Sequence, residues 1–128
     1  MVLLVEDEVV SRRALQMLLR IHGYPVRAVS SAEDGLRMIL DGDVPDVAVV
    51  DVNLPGMSGV EFVRRVRRLY PKLPCVFMSA NDEVNLEHIR QAFAQPTLRK
   101  PFDMSNLLRL IGHTPRAITE SASVQQGA

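Results

Sequence analysis

The stretch Val47-Ala48-Val49-Val50-Asp51-Val52-Asn53-Leu54-Pro55-Gly56 decides how this chain is to be read. Four apolar residues, three of them β-branched, run without a break into a carboxylate, and a Pro-Gly loop follows. An uninterrupted run of this kind predicts a strand buried on both faces, with the loop ending it just past Asp51. Other segments repeat the order of apolar run and then chemical group. Val2-Leu3-Leu4-Val5 leads into Glu6-Asp7-Glu8, Cys75-Val76-Phe77-Met78 leads into Ser79, and the short Thr97-Leu98-Arg99 leads into Lys100-Pro101. The C-terminal ends of parallel strands lie along one edge of their sheet, so these groups are candidates to converge.

Between the strands the spacing is helical. From Glu8 to about His22, an inner face is expected from Val9, Leu15, Met17, Leu18 and Leu19, and an outer one from Arg12, Arg13, Gln16 and Arg20. Gly23 ends this helix, since glycine readily takes the left-handed conformation of a C-terminal cap. Tyr24 to Val29 reads as a short second strand, with Pro25 at its beginning or at a sheet edge. Ser30-Ser31 caps a helix with Glu33 and Asp34 in its first turn, running to about Asp41, with Leu36, Ile39 and Leu40 as its apolar stripe. Ser58-Gly59 opens a helix from about Val60 to Tyr70. A fourth runs from Asp82 or Glu83 to about Ala94, and Asp103 caps a last one carrying Leu107, Leu108 and Ile111. Strand and helix alternate throughout, which predicts an α/β fold: a five-stranded parallel sheet with helices on both faces. Residues 1–112 are expected to form one domain. Residues 113–128 are small and polar with no periodic apolar face, and read as a disordered tail.

The bulk numbers bound the function. At 128 residues and 47% hydrophobic content the chain suits one domain with a proper core. Its 15 basic and 15 acidic residues cancel, which argues against holding nucleic acid or an anionic membrane through bulk charge. The single cysteine, Cys75, lies in an apolar run and reads as a small core residue of a reducing compartment. The first apolar run is too short for a signal peptide or a membrane span, so a cytoplasmic place is expected. His22, His88 and His113 lack metal-ligand spacing, and Arg64, Arg65, Arg67 and Arg68 read as a solvated helix face.

Glu6, Asp7 and Asp51 are three acids that two neighbouring strands would bring together. Clustered carboxylates repel unless a cation or protons offset them, and hard oxygen donors of this kind suit magnesium. A carboxylate beside magnesium can also attack a phosphoryl group to give an acyl phosphate. Lys100 and Ser79 would then offset and hydrogen-bond the transferred group. Singly, each has a plainer account: a capping acid, a capping hydroxyl, a surface lysine with its stem packed down. What sets the group apart is that the acid pair Glu6-Asp7, Asp51, Ser79 and Lys100 each end a different strand of one alternating chain.

On these motifs, Leu4-Val5-Glu6-Asp7-Glu8, Asp51 through Gly59, Met78-Ser79-Ala80 and Lys100-Pro101-Phe102, residues 2 to 111 resemble the receiver domain of two-component response regulators. The resemblance implies a flavodoxin-like receiver fold with strand order 2-1-3-4-5. It implies that Asp51 takes a phosphoryl group from a phosphohistidine on a sensor histidine kinase or a histidine phosphotransfer protein. Asp7, Asp51 and the carbonyl of Asn53 would hold Mg2+, with Glu6 helping directly or through water. Lys100 would pair with the phosphoryl oxygens and Ser79 would swing toward them, altering the face made by the fourth helix, fifth strand and fifth helix. Asn53 and Asn81 stand where family members tune attack by water. Two features depart from the pattern: receivers often carry Tyr or Phe three residues before the lysine, where this chain has Thr97, and the stretch Ala92 to Thr97 is compact, with Gln95-Pro96 where a longer Gly-Ala-rich turn is common.

Two other classes share part of this chemistry. A magnesium-dependent phosphatase acting through an aspartyl phosphate needs an acid two residues after its nucleophile, where this chain has Asn53, and a cap domain does not fit. A phosphorylation-independent interaction domain would not need the intact acid, hydroxyl and lysine set. The expectation is therefore a signalling module that catalyses only its own phosphorylation and dephosphorylation, without direct nucleic-acid or membrane contact. Its output stays open between a stand-alone receiver, with or without phosphorylation-dependent homodimerisation, and a piece of a hybrid kinase relaying to a further histidine.

Overall fold

The computed structural model describes residues 1–80 and 86–113. The elements are β1 (Val2–Val5), α1 (Val9–Ile21), β2 (Val26–Val29), α2 (Ala32–Leu40), β3 (Val47–Asp51), α3 (Gly59–Leu69), β4 (Cys75–Ser79), α4 (Leu86–Phe93), β5 (Thr97–Arg99) and α5 (Met104–His113). The strands form one parallel sheet in the order β2-β1-β3-β4-β5. Fold class and order are those expected.

Alternation along the three central strands splits the core in two, because successive side chains leave a strand on opposite faces. Leu3, Val5, Ala48, Val50, Cys75 and Phe77 face one layer, closed by Ile39 of α2, by Phe62, Val63 and Val66 of α3, and by Leu86 of α4. Val2, Leu4, Val47, Val49, Val76 and Met78 face the other, closed by Leu15 and Leu19 of α1 and by Leu107 and Ile111 of α5. Every residue of β1, β3 and β4 is buried, as uninterrupted apolar strands require.

Local chemistry sets the boundaries. The carboxylate of Glu8 accepts from the Ser11 amide at 2.8 Å and caps α1, and the hydroxyls of Ser31 and Ser58 do the same for α2 and α3 at 3.1 Å. Gly23, at φ +90°, follows the C-cap of α1. Pro25 lies one residue ahead of β2 and gives its carbonyl to the Val2 amide at 2.8 Å. The last helix continues to His113, one residue past the expected end of the domain.

Periodicity misplaced three side chains. Val9, Met17 and Leu40 were expected inside and are 46%, 58% and 61% exposed. Met17 is two residues from both Leu15 and Leu19, about 200° around the helix from each, so burying those two turns it outward. In α2 the inward line runs through Ala32, Gly35, Met38 and Ile39, and Leu40 falls about 200° from Met38. The arginines of α3 behave as a surface face. Arg64 and Arg65 pair with Glu61 at 2.5 and 2.8 Å, and Arg67 donates to the Leu73 carbonyl at 2.6 Å.

Candidate functional site

Register brings the predicted groups together. Val5 lies opposite Val50, so the next residues, Glu6 and Asp51, leave β1 and β3 side by side. Asp51 lies opposite Met78, and Ser79 opposite Arg99, which places Ser79 and Lys100 at the neighbouring strand ends. Backbone bonds hold the edge there: Val52 N–H donates to the Met78 carbonyl and Lys100 N–H to the Ser79 carbonyl, each at 2.8 Å.

The side chains then meet. Lys100 Nζ donates to Asp51 Oδ2 at 2.9 Å and also to Glu6 Oε1. Asp51 Oδ1 accepts from the Asn53 amide at 2.8 Å, and Glu6 Oε2 from the Glu8 amide at 3.1 Å. Asn53 Nδ2 donates to Ser79 Oγ at 3.1 Å. Glu6, Asp51 and Ser79 are buried, whereas Asp7 and Asn53 are exposed. Burial pushes the Glu6 carboxyl above its ordinary value, against the opposing pull of Lys100 and the Glu8 amide. For Lys100 burial alone would lower the value. Its bonds to Glu6 and Asp51 outweigh that and hold the ammonium above its ordinary range.

One carboxylate oxygen from each of Glu6, Asp7 and Asp51 lies within 4.8 Å of the others. Among the described residues, the three carboxylates outnumber the cations beside them, the Lys100 ammonium paired with Glu6 and Asp51 and the Arg12 guanidinium on the Glu6 and Asp7 carbonyls, so negative charge is in surplus at a mouth of hard oxygen donors. This donor set fits a divalent cation such as magnesium, which takes few protein carboxylates and keeps several waters. Of the remaining expected residues, Thr97 lies opposite Phe77 in the β4–β5 ladder, two residues short of Ser79 and three short of Lys100. Asn81 lies outside the described residues.

Several supports were not read from the sequence. Arg12, expected on the outer face of α1, folds back so that Nη1 donates to the carbonyls of Glu6 and Asp7 at 3.1 and 3.2 Å. Its place one turn after the acidic loop was the available signal. Glu33 Oε2 accepts the Met57 amide at 3.0 Å and ties the start of α2 to the loop after Asp51, which also holds the Glu33 carboxyl below its ordinary value. Gly59 begins α3 against the acceptor strand: a Cβ there would stand 2.1 Å from the Asp51 carbonyl oxygen. Phe93 packs edge-on to Phe77 with centroids 5.7 Å apart, and the Arg64 guanidinium lies 5.8 Å from the Phe93 centroid.

A buried acid thus stands at the C-terminal edge of a 2-1-3-4-5 parallel sheet, bonded to the lysine that follows the fifth strand and grouped with two further acids. The chain belongs to the response regulator receiver domain family, whose family model matches residues 2–112. It is 40% identical over 85 residues to the transcriptional regulatory protein AfsQ1 of Streptomyces coelicolor, covering 66% of this chain and 37% of that protein. It is 39% identical over 112 residues to the response regulator protein FleR of Pseudomonas aeruginosa, covering 86% of this chain and 23% of that protein. The chain thus spans well under two thirds of these relatives' lengths. Among solved structures, it matches a receiver domain protein from Clostridium thermocellum with TM-score 0.82 and 23% identity, over 88% of this chain and 91% of that one. The chemotaxis protein CheY4 of Vibrio cholerae matches with TM-score 0.78 and 26% identity, over 89% and 97%. Among the described residues, no helix is long and apolar enough to cross a membrane.

Proposed function

We propose that this receiver is a phosphoacceptor in a two-component relay, with Asp51 as its nucleophile. The observation that carries the reading is the bond from Lys100 Nζ to Asp51 Oδ2 at 2.9 Å, in a buried site the same lysine shares with Glu6. In the reaction an Asp51 carboxylate oxygen attacks the phosphorus of a donor phosphohistidine. The P–N bond breaks with its electron pair on the imidazole, which takes a proton from solvent. Lys100 offsets charge on the phosphoryl oxygens, and Ser79 donates a hydrogen bond to one of them. Asp7, Asp51 and the Asn53 carbonyl, with Glu6, would hold the magnesium ion, which supplies charge neutralisation for the phosphoryl oxygens. Asn53 and Asn81 would govern access of water to the acyl phosphate, and hence signal lifetime.

The phosphoryl donor is a sensor histidine kinase or a histidine phosphotransfer protein, in the cytoplasm. The readout is the face of α4, β5 and α5, used for partner contact, for relay or for pairing with a second copy. The backbone bond from Lys100 to Ser79 supports this route, because it joins the end of β5 to the residue that meets the phosphoryl group. With Thr97 in β5, the aromatic mass on this side is that of Phe77 and Phe93. Incubation with magnesium and acetyl phosphate tests the reading. One phosphoryl group should be added, and both a chelator and Asp51→Asn should abolish the addition. Undiminished labelling of that variant would refute it.

A further inference from the structure

Asn53 touches both oxygens on which the proposed reaction turns. Its backbone amide donates to Asp51 Oδ1 at 2.8 Å, and its side-chain amide to Ser79 Oγ at 3.1 Å. Ser79 is fully buried at the end of β4, while Asn53 is exposed in the loop after Asp51. The exposed amide therefore reaches in over the strand end to hold a buried hydroxyl from the neighbouring strand.

We infer that Asn53 is a positioning residue for Ser79, holding its hydroxyl on the Asp51 side of β4 before the phosphoryl group arrives; this rests on the phosphoacceptor reading given above. A serine hydroxyl has two acceptor lone pairs and one proton. By accepting from Asn53, Ser79 Oγ does not spend that proton on it, and an accepted hydrogen bond makes a hydroxyl the better donor in turn. The chain Asn53 Nδ2–H to Ser79 Oγ–H to phosphoryl oxygen then runs in one direction. Asn53 thus acts on the entry of the phosphoryl group through Ser79, apart from any effect on its removal by water.

Asn53→Ala separates the two functions of the residue, since alanine keeps the backbone amide and carbonyl and deletes only the donor to Ser79. The measurement is the rate of phosphorylation by acetyl phosphate with magnesium. In that reaction an Asp51 oxygen bonds to phosphorus and the P–O bond to acetate breaks with its electron pair on acetate. In the wild-type protein and in a Ser79→Thr background, which keeps a hydroxyl, Asn53→Ala should slow phosphorylation about threefold to tenfold, the worth of one neutral hydrogen bond. In a Ser79→Ala background it should change nothing further. In the metal-free protein, the Asn53 side-chain amide resonances should also shift when Ser79→Ala removes their acceptor. Equal slowing by Asn53→Ala in the hydroxyl and Ser79→Ala backgrounds, or no slowing in either, overturns the inference while leaving Asp51 as acceptor. Absence of any labelling in the wild-type protein overturns the phosphoacceptor reading and this inference with it.

Discussion

Lys100 Nζ lies 2.9 Å from Asp51 Oδ2 and is held there across 49 residues of sequence. Its ammonium pairs with both Glu6 and Asp51, in a cluster that Asp7 joins, and this makes the site's stability respond oppositely to losing a cation or an acid. Lys100→Ala would leave buried Glu6 and Asp51 without their counter-charge. A partly exposed site of this kind should lose about 1–3 kcal/mol, measured by urea unfolding in the absence of magnesium.

Asp51→Asn should do the reverse. Removing one charge beside Glu6 relieves repulsion while the amide can still accept from Asn53, so the variant should be as stable as the parent or more stable by about 1 kcal/mol. A clear loss of stability would mean that the acids are not in mutual strain.

Gly59→Ala tests the packing that aims Asp51. The added Cβ would meet backbone, the Asp51 carbonyl at 2.1 Å, and backbone cannot move aside as a side-chain tip can. A loss of about 2–5 kcal/mol is expected, together with slower phosphorylation. An unchanged unfolding midpoint would contradict the close approach of α3 to β3.

These contacts also mark how far the sequence could be read. The strand ends were legible because a parallel sheet must align them, and apolar runs identify parallel strands; hence Glu6, Asp51, Ser79 and Lys100 could be grouped before any coordinates. Helix periodicity was legible in kind but not in rotation, so Met17 and Leu40 were put on the wrong side. Which apolar residue faces inward depends on where the neighbouring layer sits, and that is tertiary information. The side-chain bonds of Arg12, Glu33 and Asn53 were hidden for a different reason. Each reaches backbone or hydroxyl partners through a rotamer choice, and no spacing rule encodes a bond such as that from Met57 to Glu33.

Gln95 shows the same limit in the β4–β5 region. Buried at 9% exposure, its Oε1 accepts the Cys75 amide at 2.9 Å at the start of β4. Gln95→Ala would leave that buried donor unsatisfied and should cost about 1–3 kcal/mol in urea unfolding.

Cys75 supplies the pH dependence. Burial pushes its thiol up to about 12, so thiol reagents at pH 8 should label it only through unfolding. The unfolded thiol titrates at about 8.5. Below that both states are protonated and no stability is lost. As pH rises from there toward 12, only the unfolded state releases the proton, and stability falls by up to about 1.4 kcal/mol per pH unit. Comparing the pH dependence of unfolding between the parent and Cys75→Ala isolates this part. An identical alkaline slope in the two would contradict it.

The most direct measurement is to find where the phosphoryl group goes. After incubation with magnesium and acetyl phosphate, borohydride reduction converts a phosphorylated aspartate to homoserine, which peptide mass spectrometry can place. Homoserine at position 51 alone is the predicted result. Reduction product at Glu6 or Asp7, or none at position 51 in protein that has gained a phosphoryl group, would contradict the account.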